Sequence, residues 1–593
     1  MENPFAVKSP ESLSDKQISE LFVDVFTDFS KIKDSGHTFI HGARGTGKSM
    51  MLRFLEPSVQ LIAGKVRCIS DLNFFAIHIP IRTANLSIPQ LERLMDSAYS
   101  SLAEHLLLMH IATRVFSDVS DLAAIDDLNS TESTELFALF TQLMEASGGT
   151  VTETQDVAPL KQIVAACESE FRATIQYLKR LTFTKDPVAY NGALCGYIDF
   201  LIPLISKLKD LSFTPRGPVF LMLDDADNLP EGMQKIINTW VAMRTGPTVS
   251  LKVSTQLRYK TTRTLDGTLI ESPHDYSEIN IGTIYTSRKE HYFERVSEIV
   301  KRRLDIHYPG MNLTPIEFFP VDEKQEREIE IVRQRLRENW EKGEGVGNRA
   351  SDDVTRYAVP EYMASLAGSS KSSSTFSYAG FRNMVDISGG VVRAFLEPAA
   401  LMYSEAEALG RFTVERPQIP AAIQDKILKE WSEELVLNEF DKLNREARTS
   451  GDSERHETAV KLLNLVNGLG SLFRAALLSR GSERKFFSFT LSGRPSEKLD
   501  RVLSLGVEWG YLQRSTIGTK EGLGRNTQYV LNRRLAPYYK LDPSSYAAYL
   551  QVTPEDLEVA CDDPKRFARS RLEKKLKGKE QSAMQMTLPL GHE

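Results

Sequence analysis

Apolar positions follow two rhythms along the chain. Short, nearly continuous apolar runs occur at 36–41 (Gly-His-Thr-Phe-Ile-His), 73–81, 218–224, 249–255 and 277–284. Runs this short, bounded by polar or turn-forming residues, fit strands of a parallel sheet buried on both faces. Between them the period lengthens to that of a helix. Lys48 to Glu56 turns Met50, Met51, Phe54 and Leu55 to one side, and His291 to Leu304 repeats the pattern after the last run. From about Ser87 to Asp210 the chain is mostly helical, longer than a crossover between parallel strands needs. It reads as a helical insertion carrying an acidic loop around Asp118 to Glu135, a solvated or partner-facing surface. Asp266-Gly267, between β-prone stretches, signals a hairpin.

Beyond residue 310 the pattern changes. Glu323 to Lys342 places opposite charges three and four apart, as a solvent-facing helix does. Loop compositions follow at 343–350 and 369–375, and then an apolar helical block runs to about Lys442. Helical patterns at Ala459 to Leu478 and Ser496 to Leu512 precede β-prone 512–517, a glycine-rich loop at 518–526 and β-prone 527–532, the order of a winged helix. Arg501, Arg514, Lys520, Arg525, Arg533 and Arg534 could meet phosphates there, with the helix from Ser496 in a major groove. Glu497, Asp500 and Glu508 on that helix speak instead for a protein partner. After Asp563 comes a dense basic run, read as a mobile arm that suits a polyanion or serves as a solubilising tail.

The expected division is therefore an α/β core at 1–310 with an insertion at about 87–210, a helical lid at 311–445, a winged helix at 456–553 and a basic flexible tail at 564–593. A length of 593 residues fits three or four such units. A net charge of −6 excludes wholesale coating of nucleic acid, so any basic surface is local. Cys68, Cys167, Cys195 and Cys561 are scattered without metal-ligand spacing and read as reduced side chains. No apolar run approaches the length of a membrane span, and the expectation is a soluble, cytoplasmic protein.

The candidate chemistry starts where the first strand meets the first helix. Gly42-Ala43-Arg44-Gly45-Thr46-Gly47-Lys48-Ser49 satisfies G-x-x-x-x-G-K-[ST] between a strand and a helix. Glycines let backbone N–H groups approach phosphates at a helix N-terminus, Lys48 reaches the β and γ oxygens, and the Ser49 hydroxyl can ligate Mg²⁺. ATP with Mg²⁺ is the expected cofactor. The run ending in Leu223-Asp224-Asp225 supplies carboxylates where a buried strand would meet the phosphates, Asp224 for the metal and Asp225 to polarise an attacking water. Ser254 and Thr255 end the 249–255 run as a sensor-like pair. Arg393 follows Ser388-Gly389-Gly390 near a helix start; it reaches a phosphate if its block folds over the nucleotide and is otherwise a surface arginine.

In this order, Gly42 to Ser49, Leu221 to Asp227, Val253-Ser254-Thr255 and Ser388 to Leu396 resemble Walker A, Walker B, sensor 1 and sensor 2 of AAA+ ATPases. The chain is most similar to the origin-recognition and replication-initiator clade, over roughly residues 20 to 545. The resemblance implies an ATP-dependent switch acting on or near DNA, with Lys48 and Ser49 on phosphate and Mg²⁺, Asp224 completing the metal shell, Asp225 as catalytic carboxylate, Ser254 or Thr255 as sensor 1 and Arg393 as sensor 2. Where that clade has Glu, Asp225 is one methylene shorter, which points to slow hydrolysis. An Asp-Asp pair instead resembles STAND ATPases, and a signalling switch triggered by a protein partner, as in phage defence, is the alternative. Arg258 and Arg263 are the arginine-finger candidates, and a homo-oligomer stays open. Gln585 to Leu590 (Gln-Met-Thr-Leu-Pro-Leu) resembles the clamp-binding peptide of bacterial replication proteins. Gln585, Leu588 and Leu590 would dock a sliding clamp; the other reading is an apolar segment that packs on its own protein.

Overall fold

The computed structural model describes residues 3–23, 29–82, 86–125, 130–183, 189–243, 247–256, 259–281, 289–345, 349–368, 375–413, 415, 417–449, 453–479, 485–518, 525–544 and 548–571. The chain divides into two compact units, Lys8–Ile284 and Met1–Val7 with Tyr285–Glu593.

The first unit is built on five strands: β1 (Thr38–His41), β2 (Phe75–Pro80), β3 (Val219–Asp224), β4 (Val249–Thr255) and β5 (Ser277–Asn280). They pair in the order β2-β3-β4-β1-β5, parallel throughout. β3 and β4 are buried along their whole length, which accounts for their unbroken apolar character. The pleat then sorts their residues between two layers. Phe39, Phe75, Ile77, Leu221, Leu223, Leu251 and Val253 join the core under the insertion. Ile40, Ala76, Phe220, Met222 and Ile279 join the core under the loop-bearing helix Lys48–Phe54, with Met51 and Leu52. Helices on both faces of a parallel sheet are the stable way to bury both sides.

The insertion forms the helices Asp96–Ile125, Ser130–Ala146, Pro159–Leu181 and Ile202–Leu208. It shares one apolar core with the sheet, through Leu102, Leu106, Phe116, Phe140 and Phe200. Polar ties reinforce it: Trp240 Nε1 donates to Glu104 Oε1 at 2.8 Å, and Arg114 Nε donates at 3.1 Å to the carbonyl of His78 on the edge strand β2. Asp118 lies within the first helix and pairs with Arg114 at 3.4 Å, so the expected acidic loop does not begin there. Helical periodicity continues through Asp118 because Val115, Phe116 and Val119 are core residues. At Asp266-Gly267 the chain turns back, with Gly267 at φ 86 and an isolated bridge between Arg263 and Leu269 in place of full strands.

In the second unit, Lys289–His307 packs Tyr292, Val296, Val300 and Leu304 against Phe318, Phe381 and Phe395. The sequence pattern places that helix in the core ending at 310; in the structure its apolar stripe faces the helical block. Phe5 is fully buried in this same cluster, between Phe318 and Phe319 at ring distances of 5.5 and 5.4 Å. A further core joins the helices Ser453–Leu478, Glu497–Glu508 and Pro554–Asp562 to a sheet of β6 (Phe486–Leu491), β7 (Leu512–Gly518), β8 (Arg525–Leu531) and β9 (Ala548–Val552). The order is β7-β8-β6-β9, with β7 and β8 an antiparallel hairpin.

Several assigned arginines are structural. Arg533 is buried, donates to Pro543 O at 2.6 Å and lies over the Phe487 ring. Arg534 stacks on Trp431, donates to its carbonyl at 2.9 Å and pairs with Glu439 at 2.8 Å. Arg501 pairs with Glu454 at 2.7 Å. Nor is the tail mobile from residue 564: 564–571 is helical, Phe567 is 1% exposed in the core, and Arg571 pairs with Asp556 at 2.5 Å. Phe567 supplies the apolar anchor that a charge count overlooks. Lys520, Arg258 and residues 572–593, with the Gln585–Leu590 peptide, lie outside the described residues.

One buried cation anchors the entry to β1. Lys252, fully buried in β4, donates to Asp34 O at 2.7 Å, Gly36 O at 2.9 Å and Thr38 Oγ1 at 3.1 Å, and sits 4.5 Å from the Phe220 ring centre. Burial pushes its ammonium down to about 7, opposed by Asp34. Lys252→Met keeps the aliphatic stem and leaves those acceptors without their donor. Thermal unfolding should show a loss of about 1–3 kcal/mol; an unchanged midpoint would remove Lys252 from this role.

Candidate functional site

Parallel strands place their C-terminal ends on one edge of the sheet, where ligands of such sheets bind. The ends of β1, β4 and β3 are adjacent there, because β4 lies between the other two. His41 is level with Thr255, and Leu223 with Val253, so Asp224 stands beside Ser254.

The 42–47 loop leaves β1 tied to β4 by Gly42 N donating to Thr255 O at 3.2 Å. Gly45 and Gly47 have φ of 85 and 98, conformations that a Cβ opposes. At Gly42 an added Cβ would lie 3.1 Å from both Ile281 Cβ and Thr46 Oγ1. Thr46 Oγ1 closes the turn by donating to Ala43 O at 2.8 Å, and Arg44 is exposed at its tip. Gly47 then starts the helix Lys48–Phe54 and offers no side-chain cap. The first N–H groups of a helix have no intrahelical partner, so this end presents donors to an anion. Lys48 is 5% exposed, with Nζ donating to Gly42 O at 2.7 Å and Ala43 O at 3.2 Å, so the ammonium is held inside the loop.

Asp224, 2% exposed, faces this loop with both carboxylate oxygens occupied. Ser254 Oγ and the Asp225 N–H reach Oδ1, the latter at 3.0 Å, and His78 Nε2 reaches Oδ2 at 2.9 Å. The Ser49 hydroxyl is close enough to this carboxylate to favour its charged form. Burial alone would raise the Asp224 pKa, but the bonds from His78 and Ser254, with the nearby Ser49 hydroxyl, win and hold it at about 2. Asp225 leaves the strand at φ 55, a left-handed conformation that Asp tolerates better than most residues, and opens the 226–228 turn. Burial first, and then the Asp224 charge, push its carboxyl up to about 6 against the pull of Lys48.

Strand alternation separates the two sensor candidates. Ser254 shares the face of Asp224, while Thr255 Oγ1 bonds His41 Nδ1 at 2.7 Å on the opposite face. Burial lowers the His41 pKa, against Glu278, whose Oε1 is 3.4 Å from Nε2. Arg393 belongs to the second unit, half-buried in the first turn of Val392–Ala408 and close enough to Glu397 to stabilise its charge. Arg263 is exposed at the hairpin tip and donates to Gly267 O at 2.8 Å. His78 is the residue that the sequence reading passed over: one histidine in the apolar run Phe-Ala-Ile-His-Ile-Pro, whose alternation would have put it on the carboxylate face.

The donor set fits a hard divalent cation. A serine hydroxyl and an ionised carboxylate stand near one another, with a second carboxylate beside them and a glycine loop for phosphate alongside. The parallel sheet and this strand-end cluster define the class, an α/β P-loop fold of AAA+ type. A family model described as ORC-CDC6-like matches residues 3–550, so the chain belongs to that family and is an origin-recognition/Cdc6-like AAA+ ATPase. Among solved structures, the Aeropyrum pernix Orc1 protein in complex with DNA is similar at 11% identity and a TM-score of 0.24, covering 92% of this chain and 94% of that chain. No curated protein matches the chain. Among the described residues no helix is long and apolar enough to cross a membrane.

A carboxylate that must accept a proton works only when ionised. With the Asp225 carboxyl at about 6, turnover should fall as pH drops through that value and level off above it. Asp225→Asn should abolish that limb and lower turnover while ATP affinity holds; an identical pH profile in the variant would contradict the assignment.

Proposed function

We propose that the chain binds ATP with Mg²⁺ at the adjoining ends of β1, β3 and β4, hydrolyses it slowly, and uses the nucleotide state as a switch for action on or near DNA. The observation that carries this reading is the buried Asp224 carboxylate, held by Ser254 and His78 at the strand ends where the phosphate loop opens. In this reading the 42–49 loop cradles the phosphates and Lys48 moves its ammonium from loop carbonyls to phosphate oxygens. Ser49 and Asp224 would hold Mg²⁺, which neutralises phosphate charge when bound. Ser254 fixes the Asp224 carboxylate as sensor 1, and Asp225 accepts the proton of the attacking water. By resemblance Arg393 is assigned as sensor 2.

The DNA-facing assignment rests on the helix-and-hairpin module of β6–β9, read as a winged helix, and on the basic segment after it. With Arg533 and Arg534 packed in the second unit and Arg501 paired with Glu454, the candidates for phosphate among the described side chains are Arg514 and the exposed Lys565, Arg566 and Arg569 of the 564–571 helix; Lys520 and Arg525 stay candidates from the sequence. The acidic side of Glu497–Glu508 argues against a groove-reading role for that helix. The adjacent Asp224-Asp225 pair is the feature that favours a STAND-like signalling switch instead.

ATPase assays of the full chain with and without duplex DNA separate the two. Stimulation by DNA that fades with added salt is expected, and activity indifferent to DNA would favour the signalling switch. Lys48→Ala should lose ATP binding, and retained affinity in that variant would refute the site itself.

Tethering to a sliding clamp through Gln585, Leu588 and Leu590 is a separate proposal resting on the peptide's sequence alone. Deletion of 585–593 should abolish capture by an immobilised clamp at unchanged ATP affinity. Undiminished capture would dismiss the peptide.

A further inference from the structure

We infer that His78 is a positioning residue for Asp224: a hydrogen bond from its ring holds the buried carboxylate in the orientation that a divalent cation at the phosphate loop requires. The inference rests on the reading of this site as one for ATP with Mg²⁺, and it deepens that reading by naming the side chain that sets affinity for the cation.

The geometry is specific. β2 and β3 run parallel in register, with His78 level with Met222 and Pro80 with Asp224. The pleat places Ala76 and Met222 in the core beneath the loop-bearing helix, and His78 and Asp224 continue those two rows toward the strand ends. Both side chains are 2% exposed, and Nε2 stands 2.9 Å from Oδ2. An ionised carboxylate only accepts, so Nε2 carries the proton in this bond. On the other oxygen Ser254 Oγ and the Asp225 N–H already meet Oδ1. Without the ring, that oxygen stays fixed while Oδ2 loses its partner on β2, and the carboxylate is free to turn.

His78 is itself held from outside the sheet. Arg114, on the first helix of the insertion, donates from Nε to the His78 carbonyl at 3.1 Å and pairs with Asp118 at 3.4 Å. The insertion thus fixes the edge strand at the residue whose ring fixes the carboxylate. Groups that hydrogen-bond a metal's carboxylate in this way typically govern metal affinity by about 10–100-fold.

The test uses the full chain and separates cation from nucleotide. Affinity for a fluorescent ATP analogue is measured in excess EDTA, and then the Mg²⁺ concentration for half-maximal change at saturating analogue. His78→Leu, close to the ring in bulk but without a donor, should raise that Mg²⁺ midpoint about 10–100-fold and leave the EDTA affinity unchanged. His78→Gln can place its amide nitrogen near the position of Nε2 and should restore the midpoint toward wild type, whereas His78→Asn, one methylene shorter, should not. If His78→Leu fails to fold by thermal melt, the Gln and Asn pair decides the matter alone.

An unchanged Mg²⁺ midpoint in His78→Leu overturns the inference. So does an equal loss of affinity with and without Mg²⁺, which marks a structural role only, or Asn matching Gln. Failure of the underlying reading looks different: wild-type protein would show no Mg²⁺-dependent binding of the analogue, and the inference would fall with it.

Discussion

The burial of the Asp224 carboxylate at the strand ends is the constraint on which the rest of the site depends. A buried carboxylate is costly unless donors surround it, and here the donors come from β2, β4 and the residue that follows β3. Each lies on a different segment, and the three converge because β2, β3 and β4 lie side by side in parallel register. Satisfying one carboxylate and assembling one sheet edge are therefore the same requirement. The glycine loop adds a positive helix end and an internal ammonium to that edge, giving acceptors for a cation and donors for an anion side by side.

Much of this was legible in the residues. A strand, a glycine loop and a helix announced the phosphate site, because glycine at Gly45 and Gly47 answers a backbone need that other residues meet poorly. β3 and β4 were visible as unbroken apolar runs, and the insertion as a helical stretch too long for a crossover. What stayed hidden depended on pairing across the sheet. The roles of Ser254 and Thr255 differ only because alternate residues point to opposite faces, and His78 matters only because β2 lies beside β3. β6 and β9 were missed for a related reason: each is a short run whose partners are distant in sequence.

Charged residues misled where burial was decisive. Arg533 and Arg534 look like phosphate ligands in a linear reading, yet a guanidinium stacked on an aromatic ring with carbonyl and carboxylate partners is a packing element. In the second unit Arg534 joins the module of β6–β9 to the helical block, and Tyr378 does the same with bonds to Ala536 O at 3.2 Å and Leu541 O at 3.0 Å. The basic run after Asp563 likewise begins as a packed helix because Phe567 anchors it. Among the described residues of that run, Lys565, Arg566 and Arg569 stay exposed beside the anchor.

The central claim is that one pocket is assembled from three strand ends and responds to a triphosphate as a unit. Hydrogen–deuterium exchange of the full chain, with and without a nonhydrolysable ATP analogue and Mg²⁺, reads this directly. Slowed exchange is expected together in the 42–49 loop, the turn after Asp224 and the end of β4. Protection confined to the loop, or none in any of the three, would contradict it.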